Sequence, residues 1–159
     1  MKNKLYLILI FVFIFNNSLS ILAQEESSEE WKEAEYYSKL GFQQMTEANY
    51  EEAIESFSRI IELIPDADIA YSNRGVAKLR LNDFEGCLED SEKAIELMPN
   101  NGVWYLNRSY CLYYLKDLEG AINDAQLARD MLKNTKDRQN FIRAKKWYNT
   151  LKGAKALLN

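Results

Sequence analysis

A repeat of fixed period runs through residues 34–135 of this chain. Tyr37, Tyr71 and Tyr105 are 34 residues apart (71 − 37 and 105 − 71). Four further sets keep the interval: Gly41, Gly75 and Ser109; Tyr50, Phe84 and Leu118; Ala53, Cys87 and Ala121; Ile60, Ala94 and Ala128. Such a period is typical of solenoids, whose units bury their apolar faces by stacking on their neighbours. The sequence therefore predicts three stacked units, over residues 34–67, 68–101 and 102–135.

Each unit has the pattern of two amphipathic helices. In the first unit, apolar residues recur at steps of three and four, first over 37–45 and then over 50–64. A residue that can cap the second helix precedes it in each unit: Asn49, Asp83 and Asp117. Pro65 and Pro99 follow that helix in the first two units, where a residue without an N–H ends a helix. Small residues are expected to face each other across each hairpin: Gly41, Gly75 and Ser109 against Ala53, Cys87 and Ala121.

These features resemble the tetratricopeptide repeat, whose motif reads W-x2-L-G-x2-Y, then A-x3-F, then P. The matching residues are Tyr37, Leu40, Gly41, Ala53, Phe57 and Pro65 in unit one, Tyr71, Gly75, Ala94 and Pro99 in unit two, and Tyr105, Ala121 and Ala128 in unit three. Unit three lacks the Gly and the final Pro. The resemblance implies an all-α fold, a right-handed superhelical solenoid of three helix-turn-helix repeats with a C-terminal capping helix over residues 136–159.

Residues 1–23 have the layout of a secretory signal peptide. Lys2 and Lys4 form a positive start, and Leu5–Phe15 is an uninterrupted apolar run that Asn16–Ser18 breaks. The run is shorter than the roughly 20 residues that a membrane-spanning helix needs. We therefore expect export to a periplasmic or extracellular location, with an uncleaved membrane anchor as the alternative.

The segments that flank the repeats carry opposite charge. Residues 24–33 are acidic and are expected to form a short solvated linker or a frayed helix start. Residues 133–159 contain eight Lys and Arg against Asp137 alone, with apolar residues at helical spacing. This pattern predicts an amphipathic capping helix. Its charges either form the solvated face of that helix or bind an anionic surface.

No pattern in the sequence indicates a catalytic, cofactor or metal site. Histidine is absent, which removes the usual acid–base triads and most zinc sites, and the glycines are isolated instead of grouped in a phosphate-binding loop. The formal net charge of −4 argues against nucleic acid as a partner, because phosphate binding needs a basic surface. We expect a binding protein and not an enzyme.

The chain contains two cysteines, Cys87 and Cys111. By repeat register, Cys87 begins the second helix of unit two and Cys111 lies late in the first helix of unit three. Export would place them in an oxidising compartment, where a disulfide can form. The alternative is a pair of free cysteines that act as small hydrophobic residues in the core.

The resemblance also implies that the first helix of each unit lines a concave groove that binds a peptide. Carried over by register, the candidate peptide-binding residues are Lys39, Phe42, Asn73, Val76, Leu79, Arg80, Asn107, Tyr110, Tyr113 and Tyr114. Asn73 and Asn107 are equivalent, and an amide can both donate to and accept from an extended backbone. The alternative is that these amides satisfy local groups and that some tyrosines pack under the C-terminal helix.

A subset of the family binds acidic chaperone tails through a cationic clamp. Asn73 matches its central asparagine. The other clamp positions, where Lys, Asn, Lys and Arg are expected, are occupied by Ser38, Phe42, Val103 and Asn107. Because a carboxylate needs those charges, we expect no clamp activity.

The sequence as a whole predicts an exported module that binds a peptide or helix of another protein in its groove, as an adaptor or assembly factor. The alternative is a structural or self-associating envelope protein, held to an anionic surface by its basic C-terminal helix. Membrane contact is expected only through an uncleaved signal segment or that helix.

Overall fold

In a computed structural model of the chain, residues 29–158 are described. These residues form seven α-helices and no strand. The helices are α1 (29–46), α2 (Tyr50–Leu63), α3 (Asp68–Arg80), α4 (Phe84–Leu97), α5 (Gly102–Tyr114), α6 (Leu118–Leu132) and α7 (Arg138–Ala156). From α2 onward each helix contacts the next one in the chain, and α3 also contacts α5. The predicted all-α solenoid is confirmed, and the predicted signal peptide lies outside the described residues.

Residues 29–33 are helical, in agreement with the helix-start alternative for the acidic segment. Lys32 pairs with Glu29 at 2.7 Å, and the Nη2 atom of Arg59 in α2 pairs with Glu33 at 3.1 Å. The first pair lies within α1, three residues apart, and the second joins α2 to α1. The first helix of unit one therefore extends before the start of the repeat.

The turn inside each hairpin uses a residue in the left-handed region of the backbone. Ala48, Asn82 and Lys116 have φ angles of 62°, 64° and 70°. The following amide closes each turn by donating to a carbonyl five residues earlier, as in Asp83 N to Lys78 O at 3.0 Å. The period of 34 residues thus extends to the conformation of the turn (82 − 48 and 116 − 82).

Two of the three predicted helix caps form. The carboxylates of Asp83 and Asp117 accept hydrogen bonds from the backbone N–H of Gly86 and Gly120, at 3.0 and 2.8 Å. Asn49 makes no side-chain cap, which corrects the prediction for unit one. The capping carboxylates occupy space that a Cβ at the two glycines would need, with Asp83 Cγ only 2.8 Å from that position.

Glu52 stands where the later units have those glycines, and it carries a Cβ. The Asn49 amide turns away from the helix and donates instead to the carboxylate of Glu47 at 3.3 Å.

Alanine and glycine dominate the contacts between helices. The first core cluster joins the first three helices through Ala34, Ala53, Phe57, Ile60, Ala70 and Ala77. A Cβ on Gly41 would lie 2.8 Å from Phe57 Cε1, and a Cβ on Gly75 would lie 3.2 Å from Cys87 O. Small residues are therefore required where the helices of a hairpin cross, as predicted, although the neighbour of Gly41 is Phe57 instead of Ala53.

Buried ion pairs connect the two helices of units two and three. Arg74 binds Asp90 through two bonds of 2.9 and 2.7 Å, and Arg108 binds Asp124 through two bonds of 2.6 and 2.9 Å. These hydrogen bonds raise the pKa of both arginines, against an opposite effect of burial. Both pairs are bidentate, a geometry that fixes the two helices relative to each other.

Unit one has a neutral pair where unit two has Asp90 and Lys78. Ser56 and Gln44 stand in register with those two residues, and Ser56 donates to the side-chain oxygen of Gln44 at 2.7 Å.

Candidate peptide-binding groove

The predicted groove residues lie on α1, α3 and α5, the first helices of the three units. We call the surface formed by these helices the groove face. It contains two cavities of different chemistry, one between α1 and α3 and one between α3, α5 and α7. We refer to them as the N-terminal cavity and the C-terminal cavity.

The N-terminal cavity is apolar and has a volume of about 720 Å³. Phe57 and Ile60 of α2 form its buried floor. Trp31 of α1 and Ile69 of α3 line it while remaining 62% and 56% exposed. Of the ten candidate residues, Asn73 lines this cavity, together with Glu35, Ser38 and Ile69, which the same register also assigns to the groove. Large apolar side chains that stay exposed beside a cavity are the usual mark of a binding surface.

Sequence reasoning overlooked Trp31 as a site residue. It lies before the repeat, but it is part of a helical pattern with Ala34, Glu35 and Ser38, which also line the cavity. This spacing of three, four and seven residues places the four side chains on one helical face and is the signal that could have identified Trp31.

The C-terminal cavity is smaller, about 390 Å³, and its lining is aromatic and basic. Six predicted groove residues line it: Val76, Leu79, Arg80, Asn107, Tyr110 and Tyr114. Asn82 and Arg143 complete the lining and were not predicted. Arg143 belongs to α7, so the C-terminal helix contributes directly to the groove face.

The two equivalent asparagines line different cavities, Asn73 the N-terminal one and Asn107 the C-terminal one. Asn107 is only 8% exposed, and its Nδ2 atom donates to the buried Ser72 hydroxyl at 2.8 Å. This contact joins α5 to α3 and is of the local kind named as the alternative for Asn107. That both amides hold one extended backbone stays a prediction.

The C-terminal helix covers part of the groove face in unit three. Trp147 packs on Tyr110 and Tyr113, with ring centroids 4.6 and 5.2 Å apart, and its Nε1 donates to the Ser109 hydroxyl at 2.8 Å. Tyr114 stacks on Phe84 of α4 at 4.9 Å. The tyrosines of unit three thus serve packing as well as the surface, which was the alternative reading of the sequence.

Three predicted residues line neither cavity: Lys39, Phe42 and Tyr113, whose packing on Trp147 is described above. Lys39 pairs with Glu35 at 2.7 Å on the surface of α1. Phe42 is 49% exposed and meets Phe57 edge-on at 5.9 Å. Lys39 and Phe42 remain on the same helix as Trp31 but are placed further along it.

Burial and two arginines act in opposite directions on Tyr110. Burial raises the pKa of its hydroxyl, whereas Arg143 and Arg80 lower it, and the net effect is a raised pKa. The hydroxyl is therefore a hydrogen-bond donor at neutral pH. Both arginines line the C-terminal cavity together with Tyr110.

The structure joins Cys87 of α4 to Cys111 of α5 by a disulfide, with the Cα atoms 5.8 Å apart. Both residues are fully buried. The bond crosses from unit two to unit three and fixes α5, which carries the aromatic residues of the groove face.

The basic residues of α7 divide into paired and exposed ones. Lys155 pairs with Glu119, and the Tyr148 ring lies between Arg129 and Lys152, at 4.4 and 5.6 Å. Lys145 and Lys146 are exposed. None of the helices described over residues 29–158 has the length and hydropathy required to cross a bilayer.

Comparison with protein families gives one match, to the model of the tetratricopeptide repeat, over residues 34–67 and 69–101. The match covers 67 of the 159 residues (34 + 33), and these two segments are similar to tetratricopeptide repeats. They correspond closely to units one and two. In unit three, the Asp117 cap and the Arg108–Asp124 pair repeat contacts of unit two, the Asp83 cap and the Arg74–Asp90 pair. A comparison with curated protein sequences found no match.

Several solved structures share this fold. The yeast Sti1 TPR2B domain in its pHsp70 complex aligns with a TM-score of 0.72 and 22% identity, covering 77% of this chain and 98% of that one. The Yersinia enterocolitica type III secretion translocator chaperone SycD gives 0.71 and 16%, covering 77% and 85%. PcrH, in complex with the chaperone binding region of PopD, gives 0.71 and 20%, covering 76% and 92%. These likenesses establish the helical architecture.

Proposed function

We propose that this chain is an exported module that binds a segment of a partner protein along its groove face, as an adaptor or assembly factor. The observation that carries the proposal is the N-terminal cavity, in which the exposed Trp31 and Ile69 stand above the apolar floor of Phe57 and Ile60. A cavity of this kind fits an apolar side chain of the bound segment.

The fold neighbours support a segment as the ligand. The Sti1 domain and PcrH were solved in complexes whose names specify pHsp70 and the chaperone binding region of PopD. In this chain the groove face joins an apolar cavity to a polar one, so a bound segment would be held at two points. Aromatic anchors such as Trp31 supply binding area at a small entropic cost.

The proposal is tested by selecting peptides from a phage-displayed random library with the purified chain. We expect selected peptides to share an apolar residue. Replacing Ile69 with Lys should weaken their binding about tenfold or more, because burying an aliphatic side chain contributes about 1.5–3 kcal/mol.

Leu127→Lys provides the matched control, because Leu127 is also partly exposed but lies on α6, outside both cavities. This variant should bind the selected peptides as the parent does. Equal affinity of the Ile69→Lys and parent proteins would exclude the N-terminal cavity as the binding site, and failure to select any peptide would contradict the proposed function itself.

A further inference from the structure

The C-terminal cavity carries positive charge that the described part of the chain leaves without a carboxylate. Arg80 is the last residue of α3 and Arg143 lies in α7, yet both line this one cavity. No acidic side chain is among its lining residues. Two guanidinium groups from different helices therefore face a shared space that contains no counter-charge from the described residues.

Four other arginines in the described residues have a carboxylate within ion-pair distance: Arg59, Arg74, Arg108 and Arg129. Arg138 lies over the Phe141 ring, with 5.6 Å from its Cζ to the ring centroid, and does not line the C-terminal cavity. Arg143 instead donates to the neutral side-chain oxygen of Asn140 at 2.7 Å. The nearby Asp137 accepts hydrogen bonds from the side chain and backbone of Asn140, at 2.7 and 3.1 Å. These bonds lower the pKa of Asp137, and the charge of Arg143 lowers it further, but the two residues form no ion pair. Within residues 29–158, neither Arg80 nor Arg143 forms a salt bridge.

The rest of the lining suits an anion as well. The Tyr110 hydroxyl remains protonated at neutral pH and can donate, and the Asn82 amide adds two further donors. Val76, Leu79 and Tyr114 add apolar surface beside the two exposed arginines. Hydrogen bonds between charged groups are stronger than neutral ones, and a guanidinium fork matches the two oxygens of a carboxylate.

We propose that the C-terminal cavity binds a carboxylate side chain, Asp or Glu, of the partner segment, held by Arg80 and Arg143. This inference rests on the proposed function and adds a second requirement to it: the segment presents an apolar side chain to the N-terminal cavity and an acidic one to the C-terminal cavity. The arginines are not at the clamp positions of Ser38, Phe42, Val103 and Asn107, so the site differs from the clamp that we expect this chain to lack.

The peptide selection described above distinguishes the two proposals when it is repeated with two further variants. Arg80→Gln/Arg143→Gln removes the two charges of the cavity. Lys145→Gln/Lys146→Gln removes the same number of charges from exposed positions of α7 and is the matched control. All four side chains lie at the surface, and unchanged thermal unfolding by circular dichroism will verify that both variants fold.

We expect the parent and the Lys145→Gln/Lys146→Gln protein to select peptides enriched in Asp or Glu, and the Arg80→Gln/Arg143→Gln protein to lose that enrichment while retaining the apolar preference. An acidic peptide selected by the parent should bind the arginine variant about tenfold or more weakly, as expected for loss of a charged hydrogen bond. Its Glu-to-Gln form should bind the parent equally weakly and should be insensitive to the arginine replacements.

Two results would overturn the inference and leave the proposed function intact: selected peptides without acidic enrichment, or equal loss of binding in the lysine and arginine variants. If the double arginine variant unfolds, the single Arg80→Gln variant gives the same comparison, because Arg80 is at the exposed end of α3. Selection of no peptide at all would contradict the proposed function and, with it, the inference.

Discussion

At the scale of single residues, each hairpin turn depends on one residue with positive φ. Ala48, Asn82 and Lys116 fill this position, and none of them is glycine. A residue with a Cβ pays about 1–2 kcal/mol for the left-handed conformation, although Asn adopts it more readily than other residues do. The helical hairpins are therefore closed by turns that the local sequence does not favour.

Replacing Ala48 or Lys116 with Gly should raise the free energy of unfolding by about 0.5–1 kcal/mol. The strain of the left-handed conformation that Gly removes is larger than the extra backbone entropy that Gly loses on folding. Asn82→Gly should have a smaller effect. Urea denaturation measures the change. Gln126→Gly, at an exposed position of α6, is the control and should destabilise by about 1 kcal/mol. If Ala48→Gly destabilises as much as this control, the turn is not strained.

At the scale of helices, the units differ in the chemistry at the position of Asp90. Units two and three have the carboxylates of Asp90 and Asp124 there, in pairs with Arg74 and Arg108. Unit one has Ser56 at this position, which donates to the neutral Gln44. Lys78 also binds Asp90, at 2.9 Å. Removal of one partner from a buried pair leaves the other charge uncompensated, which costs more than the pair itself contributes.

We expect Asp90→Ala and Asp124→Ala to lower the free energy of unfolding by about 3–5 kcal/mol each. Ser56→Ala should cost about 1 kcal/mol, because only a neutral hydrogen bond is lost. The comparison is with Glu62→Ala, which removes an exposed partner of Arg59 and should cost less than about 1 kcal/mol. Equal unfolding midpoints in urea for Asp90→Ala and Glu62→Ala would show that breaking the buried pair costs no more stability than breaking the exposed one.

At the scale of the whole molecule, stability depends on contacts between neighbouring units, as in other repeat proteins. Two features strengthen the end of the array. The disulfide between Cys87 and Cys111 connects units two and three, and α7 buries Ala144 and Leu151 against unit three. Since α7 also supplies Arg143 to the C-terminal cavity, the capping helix contributes to the surface as well as to the core.

Cys87→Ala/Cys111→Ala should lower the free energy of unfolding by about 3 kcal/mol, as expected for a bond that closes a loop with a sequence separation of 24 residues. Thermal unfolding with and without reductant provides the control. Reductant should lower the Tm of the parent and leave that of the variant unchanged. A parent protein whose Tm is insensitive to reductant under conditions that expose the bond would contradict this role.

Much of the architecture follows from the sequence alone. The interval of 34 residues determines the hairpins and their stacking, because each unit must place its apolar face against the next one. Asp83 and Asp117 identify the starts of two helices, and Pro65 and Pro99 follow the ends of two others. These signals are local: a cap or a helix end depends on residues a few positions away in the sequence, so it can be predicted without knowledge of the packing.

The division of the groove face was decided by tertiary structure. Register placed Asn107 in the groove, and it does line the C-terminal cavity. Its amide nitrogen, however, donates to the Ser72 hydroxyl of the neighbouring unit, and the residue is largely buried. Arg143 reaches the cavity of Arg80 only because α7 docks on unit three through Trp147. A periodic sequence specifies which residues are equivalent, whereas the direction of a side chain depends on what the adjacent helix presents to it. Packing between helices therefore separated an apolar cavity from a basic one on a surface that the sequence predicted as continuous.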